Sequence, residues 1–324
     1  MSDYYKQREI SNNVKLKKIL IELPLFCFDF FIGIENTTSI LTRLNYAYDL
    51  RVFFDYLIAN NDKFKGVRVK TFSVNMLEQV TVSDIELFLN YVSYYENGSK
   101  EIVNHERGKA RKLSTIRSFF KYYFNKGDIA SNVSTKISMP KIHDKEIVRL
   151  DVDEVVKILD EAENGDHLTS REKAYNKITQ KRDVAILTLF LGTGIRISEL
   201  VGLNIKDMNF SNNSFTVTRK GGNRAILYFS EEVSDALLAY LSEREEQAAE
   251  EKKNLKKTID KIDESKIDKG KASTKDTDAL FLSLQKDRLS VRGIQNIVKK
   301  YSKIASPLKN ITPHKLRSTY GTSL

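Results

Sequence analysis

The stretch GTGIRISEL, Gly192 to Leu200, closes a nearly all-apolar run, KRDVAILTLFLGTG (181–194), and sets one arginine between two isoleucines. The apolar run reads as a helix at the centre of a core. A cation next to such a core is costly unless it is paired. Arg196 therefore needs a carboxylate, for which Glu199 is available three residues on, or an anionic ligand such as a phosphate.

Working outward, NFSNNSFTVTRKGGNRAILYFS (209–230) carries turn signals at Asn212-Asn213 and Gly221-Gly222. The short β-rich runs SFTVTR and RAILYF flank the second turn, which predicts a small antiparallel sheet with Lys220 at a hairpin. A helix follows at SEEVSDALLAYLSERE (230–245). Residues 244–278 mix Lys, Glu and Asp with little apolar content, which reads as a solvated helical insert or a loop. Order returns at ALFLSLQKDRLSVRGIQNIVKKYSKIA (279–305), and NITPHKLRSTYGTSL (310–324) starts a last helix, with Thr312 as cap and Pro313 at its first position. His314 and Arg317, three apart, share a face near the N-terminus of that helix, whose free amides suit an anion.

Residues 1–138 read as a separate helical unit. In TTSILTRLNYAYDLRVFFDYLIAN (37–60), Leu41, Leu44, Tyr48, Val52 and Tyr56 recur at helical spacing. TVSDIELFLNYVSYY (81–95) opens with a capping-box pair, Thr81 and Asp84, and its stripe is Ile85, Phe88, Leu89, Val92 and Tyr95. RKLSTIRSFFKYYFNKG (111–127) places Leu113, Ile116, Phe120 and Tyr123 inward, with Gly127 as its stop. Between Lys100 and Lys126 stand eight Lys/Arg against two Glu. Arg111, Lys112, Arg117 and Lys121 are therefore candidates for phosphate contacts, Arg117 and Lys121 projecting together four residues apart; the competing reading is a solvated basic face. Pro140 breaks the pattern, and residues 139–150 read as a linker to a second unit, 151–324, whose first helix has Asp151 as N-cap and Glu154 three residues on.

Composition narrows the function. The 324 residues carry a net charge of +10 and a sequence pI near 9.3, a surplus that favours polyanionic partners, nucleic acid first. The single cysteine, Cys27, excludes an intramolecular disulfide and a Cys-rich metal site, and its surroundings LPLFCFDFFIGI (23–34) are too short to span a bilayer. No secretory signal is visible, so a cytoplasmic protein is expected. His105, His143 and His167 lack metal-ligand spacing, and no Walker loop, dinucleotide fingerprint or HExxH is present.

In order, TGIRISEL, a K-G-G hairpin and HKLR resemble the motif set of the tyrosine recombinases, the phage-integrase and Xer-like site-specific DNA recombinases, and the helical unit is similar to their core-binding domain. The resemblance implies a mainly α fold with a small antiparallel β-sheet, in which a helical core-binding domain and a mixed α/β catalytic domain clamp opposite faces of a DNA duplex. It implies that Arg196 and Arg317 grip the scissile phosphate and that Glu199 orients Arg196. Lys220 would protonate the leaving oxygen, with neighbouring Arg219 as a rival, and His314 would assist proton transfer. No cofactor or metal is implied. The partner is double-stranded DNA, bound by a homotetramer when the protein is full length. The family's nucleophilic tyrosine lies further downstream than Leu324, while Tyr320 falls where the family has an aromatic packing residue. On this reading the chain is a truncated one, monomeric, that binds DNA without cleaving it. The alternatives are a non-catalytic DNA-binding regulator occupying recombination sites and, less compatible with the compact helical unit, a type IB topoisomerase.

Overall fold

The structure, a computed structural model, describes residues 3–143, 148–219, 221–259 and 278–320. In chain order the first unit is built from α1 (Asp3–Leu20), α2 (Cys27–Gly33), α3 (Ile40–Asn60), α4 (Val74–Glu78), α5 (Val82–Tyr91), the hairpin β1 (Tyr94–Asn97) and β2 (Lys100–Val103), and α6 (Glu106–Lys126). The second holds α7 (Val152–Glu163), α8 (Ser170–Thr193), α9 (Ile197–Val201), β3 (Met208–Asn209), β4 (Ser214–Thr218), β5 (Arg224–Tyr228), α10 (Glu231–Ile259), α11 (Val291–Ala305) and α12 (Pro313–Tyr320). The chain divides between them as Met1–Lys145 and Glu146–Leu324. Part of the expected linker, 144–147, and the stretch 260–277 of the expected insert lie outside the described residues, whereas the insert's start continues α10.

Aromatic packing holds the first unit together. Phe30 of α2, Phe54 of α3 and Phe119 of α6 meet edge-to-face, with ring centroids 5.1 Å apart for Phe30–Phe119 and 5.8 Å for Phe54–Phe119. The Tyr123 hydroxyl donates to the Phe26 carbonyl at 2.7 Å, and that of Tyr122 to the Asp29 carbonyl at 2.9 Å, which ties α6 to α2. Burial pushes the Tyr123 hydroxyl's pKa far up, so it stays a donor at any physiological pH.

Two expectations fail here. The buried face of α3 is Leu44, Ala47, Leu50, Phe53, Phe54 and Leu57, while Leu41 and Tyr48 are exposed. Apolar residues surround this helix on almost every side, so spacing alone selects more than one face. The stripe read through Tyr95 also runs past its helix: α5 ends at Tyr91, and Tyr95 is buried from a strand. The antiparallel hairpin pairs Asn97 with Lys100 across a two-residue loop whose first residue, Gly98, takes φ 62°. The capping box of Thr81 and Asp84, the left-handed stop at Gly127 and the four inward residues of α6 are as the pattern predicts.

In the second unit α8 packs against α7, α10 and α12. Asp183, buried near the middle of α8, takes an ion pair from Arg182 at 2.7 Å and one from Lys300 of α11 at 3.1 Å, and the Tyr301 hydroxyl lies 3.0 Å from it. The antiparallel sheet has the order β3-β4-β5, with Phe215 opposite Leu227 and Val217 opposite Ala225. Phe215 and Val217 face the core. At the head of α7, Asp151 and Glu154 form the expected capping box.

Lys309 donates to Glu154 at 2.6 Å and Ser306 donates to it at 2.7 Å, which anchors the loop leading into α12. Desolvation raises the Glu154 pKa, but Lys309, the Asp151 amide and Ser306 outweigh it and the net shift is downward. A depressed carboxylate stabilises the fold above its unfolded-state pKa and loses that contribution as pH falls through the folded value. Glu154→Gln is therefore expected to lower the melting temperature at pH 7, with the gap to wild type closing as thermal scans move below pH 4. A gap that does not change with pH would contradict the ion-pair account.

Candidate active site and nucleic-acid interface

Gly194 ends α8 in the left-handed conformation, φ 57° and ψ 27°, and so redirects the chain sharply. Ile195 drops into the core, and Arg196 becomes the N-cap of α9. Its side chain is 52% exposed, while that of Glu199 is 4% exposed. Nη1 of Arg196 donates to Glu199 Oε1 at 2.8 Å, and the Arg196 amide donates to Oε2 at 3.1 Å. The buried carboxylate thus fixes both ends of the arginine and leaves much of the guanidinium in solvent. That resolves the cost posed by the sequence: the carboxylate is the buried member, and the cation stands at the surface with donors to spare.

Helix α12 supplies the second motif. Pro313, Leu316 and Thr319 face inward; His314 is exposed and Arg317 half-buried. Arg317 has no hydrogen-bond or ion-pair partner among the described residues. The Thr319 hydroxyl accepts from the Leu150 amide at 3.2 Å and donates to the Lys315 carbonyl at 3.1 Å. The contact that joins the motifs is Tyr320 on Gly194: a Cβ built on Gly194 would lie 2.5 Å from Tyr320 Cδ1. The aromatic three residues after Arg317 thereby seats α12 on the turn two residues before Arg196.

This close approach is testable. Gly194→Ala combines strain at positive φ with displacement of the Tyr320 ring, at an expected cost of about 2 kcal/mol. In a thermal-denaturation cycle with Tyr320→Ala, part of that cost should disappear, because the ring that clashes is gone. Fully additive losses would count against the contact.

Lys220 lies outside the described residues. Its neighbours form the β4–β5 turn: the Arg219 amide donates to the Asn223 carbonyl at 2.7 Å, and Gly221 and Gly222 take φ 86° and 82°. Arg219 itself is exposed.

The basic run on α6 divides into different roles, and two of its members are corrected. Lys112 is buried and paired with Asp49 of α3 at 3.2 Å, so it faces the core and not a ligand. Arg117 turns back on its own unit, donating to the carbonyls of Ser134 (3.3 Å) and Ile137, and therefore caps the segment after α6 instead of projecting beside Lys121. Lys121 is exposed, with no partner among the described residues. Arg111 is half exposed and ion-paired to Asp49.

Sequence reading missed Asp49 and also Arg288, which donates to the carbonyls of Val201 (2.9 Å) and Leu203 (2.8 Å) and so braces the end of α9. Asp49 is one of four charged residues of α3, with Arg43, Arg51 and Asp55, and nothing local marks it out or marks Arg288. No group of three or more His, Cys, Asp or Glu among the described residues is placed to hold a metal ion, and no helix among them is long and apolar enough to cross a membrane.

The sequence pattern described as the phage integrase family matches residues 148–324, more than half the chain and the whole span of both motifs. The chain belongs to the phage integrase family. A tyrosine recombinase XerC of Thermodesulfovibrio yellowstonii is 30% identical over 293 residues, covering 90% of this chain and 79% of the relative. Two solved structures share the two-domain fold of this integrase-family chain. One is residues 75–356 of lambda integrase as a dimer bound to a COC′ core site, with TM-score 0.53, 18% identity and coverage of 90% and 85%. The other is a lambda integrase tetramer bound to a Holliday junction, with TM-score 0.54, 16% identity and coverage of 90% and 67%. The mainly helical architecture with a small antiparallel sheet is thus that of the tyrosine recombinases.

Proposed function

We propose that the chain is a tyrosine-type site-specific recombinase acting on double-stranded DNA, with residues 1–138 as the core-binding domain and 151–324 as the catalytic domain. One observation carries this reading: α12 is seated by Tyr320 on the Gly194 turn, so the helix of His314 and Arg317 and the half-exposed Arg196 belong to one neighbourhood. Two guanidinium groups there suit the non-bridging oxygens of a phosphodiester, which they can grip in bidentate fashion.

In the reaction a tyrosine hydroxyl attacks phosphorus, the new bond is a 3′-phosphotyrosine, and the bond to O5′ breaks. Lys220 gives O5′ its proton while the attacking tyrosine's proton leaves with His314 assisting, and the 5′-hydroxyl freed in the same way on a partner strand then attacks phosphorus and displaces the tyrosine, so the phosphodiester energy is kept. Arg196 and Arg317 stabilise the extra negative charge at five-coordinate phosphorus, with His314 assisting the proton movements. Glu199 orients Arg196. Tyr320 is a packing residue in this scheme, its ring lying against Gly194 at the position where the family carries a packing aromatic.

Assembly as a tetramer on DNA follows by analogy with the lambda integrase tetramer bound to a Holliday junction, and with no secretory signal in the sequence the protein would act on DNA in the cytoplasm. The test is covalent trapping on a nicked suicide duplex, with the gene's whole reading frame expressed: a covalent protein–DNA adduct is expected. Salt-sensitive binding without any adduct would instead favour a non-cleaving occupant of recombination sites.

A further inference from the structure

Asp49 collects three donors from one helix. Nη1 of Arg111 and, at 2.9 Å, the Thr115 hydroxyl reach Oδ2, while Lys112 Nζ reaches Oδ1 at 3.2 Å. A buried carboxylate needs one cation to neutralise it, and Lys112, itself buried, is that cation. Arg111 is surplus to this balance, so the cluster as a whole leaves one positive charge, and it leaves it on the surface.

The Arg111 side chain is 49% exposed and that of Asp49 3%. The Arg196–Glu199 pair has the same construction, a half-exposed guanidinium held from behind by a buried carboxylate. An ordinary pair elsewhere in the first unit is arranged the other way: in Arg43–Glu35 the arginine side chain is 12% exposed and the carboxylate 57%. Burying the carboxylate under the arginine fixes the fork and leaves donors facing outward, and a side chain already held loses less freedom when a ligand binds.

We propose that Asp49 is a positioning residue of the nucleic-acid interface, which holds Arg111 in place for a backbone phosphate of DNA. The inference rests on the DNA-binding reading above. It adds a second braced arginine, in the other unit, to the one at the active site.

The sign of the effect separates bracing from field strength. Asp49→Ala with Lys112→Met removes one charge of each sign, so net charge is unchanged and no buried cation is left unpaired. Binding of the 324-residue chain to a labelled random-sequence duplex, followed by fluorescence anisotropy, is expected to weaken about five-fold, the penalty for ordering one long side chain. Arg111→Gln is expected to weaken binding and to reduce the salt slope by about 0.9, one phosphate contact. The triple variant should bind like Arg111→Gln alone, because a brace has no role without the residue it braces; a structural role for the cluster would give losses that add.

The proposal is overturned if the paired variant melts cooperatively and binds as tightly as wild type, or if the losses add in the triple variant. Should the paired variant not melt cooperatively, Asp49→Asn replaces it in the same cycle. That change raises the positive charge, so field strength alone predicts tighter binding, and tighter or unchanged binding overturns the proposal while weaker binding supports it. A wild-type chain that shows no salt-dependent binding overturns the DNA reading itself. That outcome is distinct from a wild type that binds while the cycle is null.

Discussion

Arg317→Ala is expected to lower formation of the covalent protein–DNA adduct by about 10³-fold or more, while the protein still folds. Arg317 is half-buried and pairs with no described residue, so its removal orphans no carboxylate among the described residues. The loss then falls on the transition state. A donor aimed at developing negative charge in a protein site is worth about 10²–10³ in rate, and a full guanidinium on a five-coordinate phosphorus belongs at or above the top of that range. Arg196→Ala should give a comparable loss but for a mixed reason, since it also strips the cation from buried Glu199. Arg196→Lys is the cleaner comparison: it keeps the charge but removes the planar fork, and should not restore the rate. The measurement is adduct yield against time on a nicked duplex, using the gene's whole reading frame, with melting curves alongside. An Arg317→Ala protein that forms adduct at the wild-type rate would remove α12 from the active site.

The second large effect is on binding. A protein with a +10 surplus that covers six or more phosphates is expected to lose roughly 10³-fold in affinity between 50 and 200 mM salt, because each neutralised phosphate releases condensed counterions. The slope of log K against log salt counts these contacts, and single substitutions then assign them. Lys121→Gln and Arg111→Gln should each reduce the slope by about 0.9, whereas Lys112→Met and Arg117→Gln should not change it directly, since one is buried against Asp49 and the other is bound to backbone carbonyls. A flat salt dependence would contradict a phosphate-dominated interface. Equal slope changes at all four positions would contradict the side-chain placements described for α6.

The difference among those four residues shows how far sequence reading reaches. Arg111, Lys112, Arg117 and Lys121 lie on one basic helix and have similar local surroundings. Their roles differ because of residues far away in sequence: Asp49 for the first two, Ser134 and Ile137 for the third. A lysine's burial depends on whether a distant carboxylate comes to meet it, and helical spacing holds no information about that. The face of α3 was ambiguous for a related reason. With apolar side chains nearly all round, the side that is buried is chosen by the helices that α3 packs against, α1, α5 and α6, the last meeting Phe54 with Phe119.

What the sequence determined by itself is local chemistry. The capping boxes of Thr81 and Asp151, the left-handed stop at Gly127, the two-strand run around Gly221-Gly222 and the Arg196–Glu199 pair each depend on residues a few positions apart. Short-range sterics and hydrogen bonding fix these wherever the rest of the chain goes. Only the tertiary structure decided that Tyr320 closes α12 onto Gly194, that Arg288 supports α9 and that Asp49 stands beneath Arg111. Those contacts join residues that meet solely because two cores have packed, and close packing, unlike a turn or a cap, is settled by every side chain in the core together.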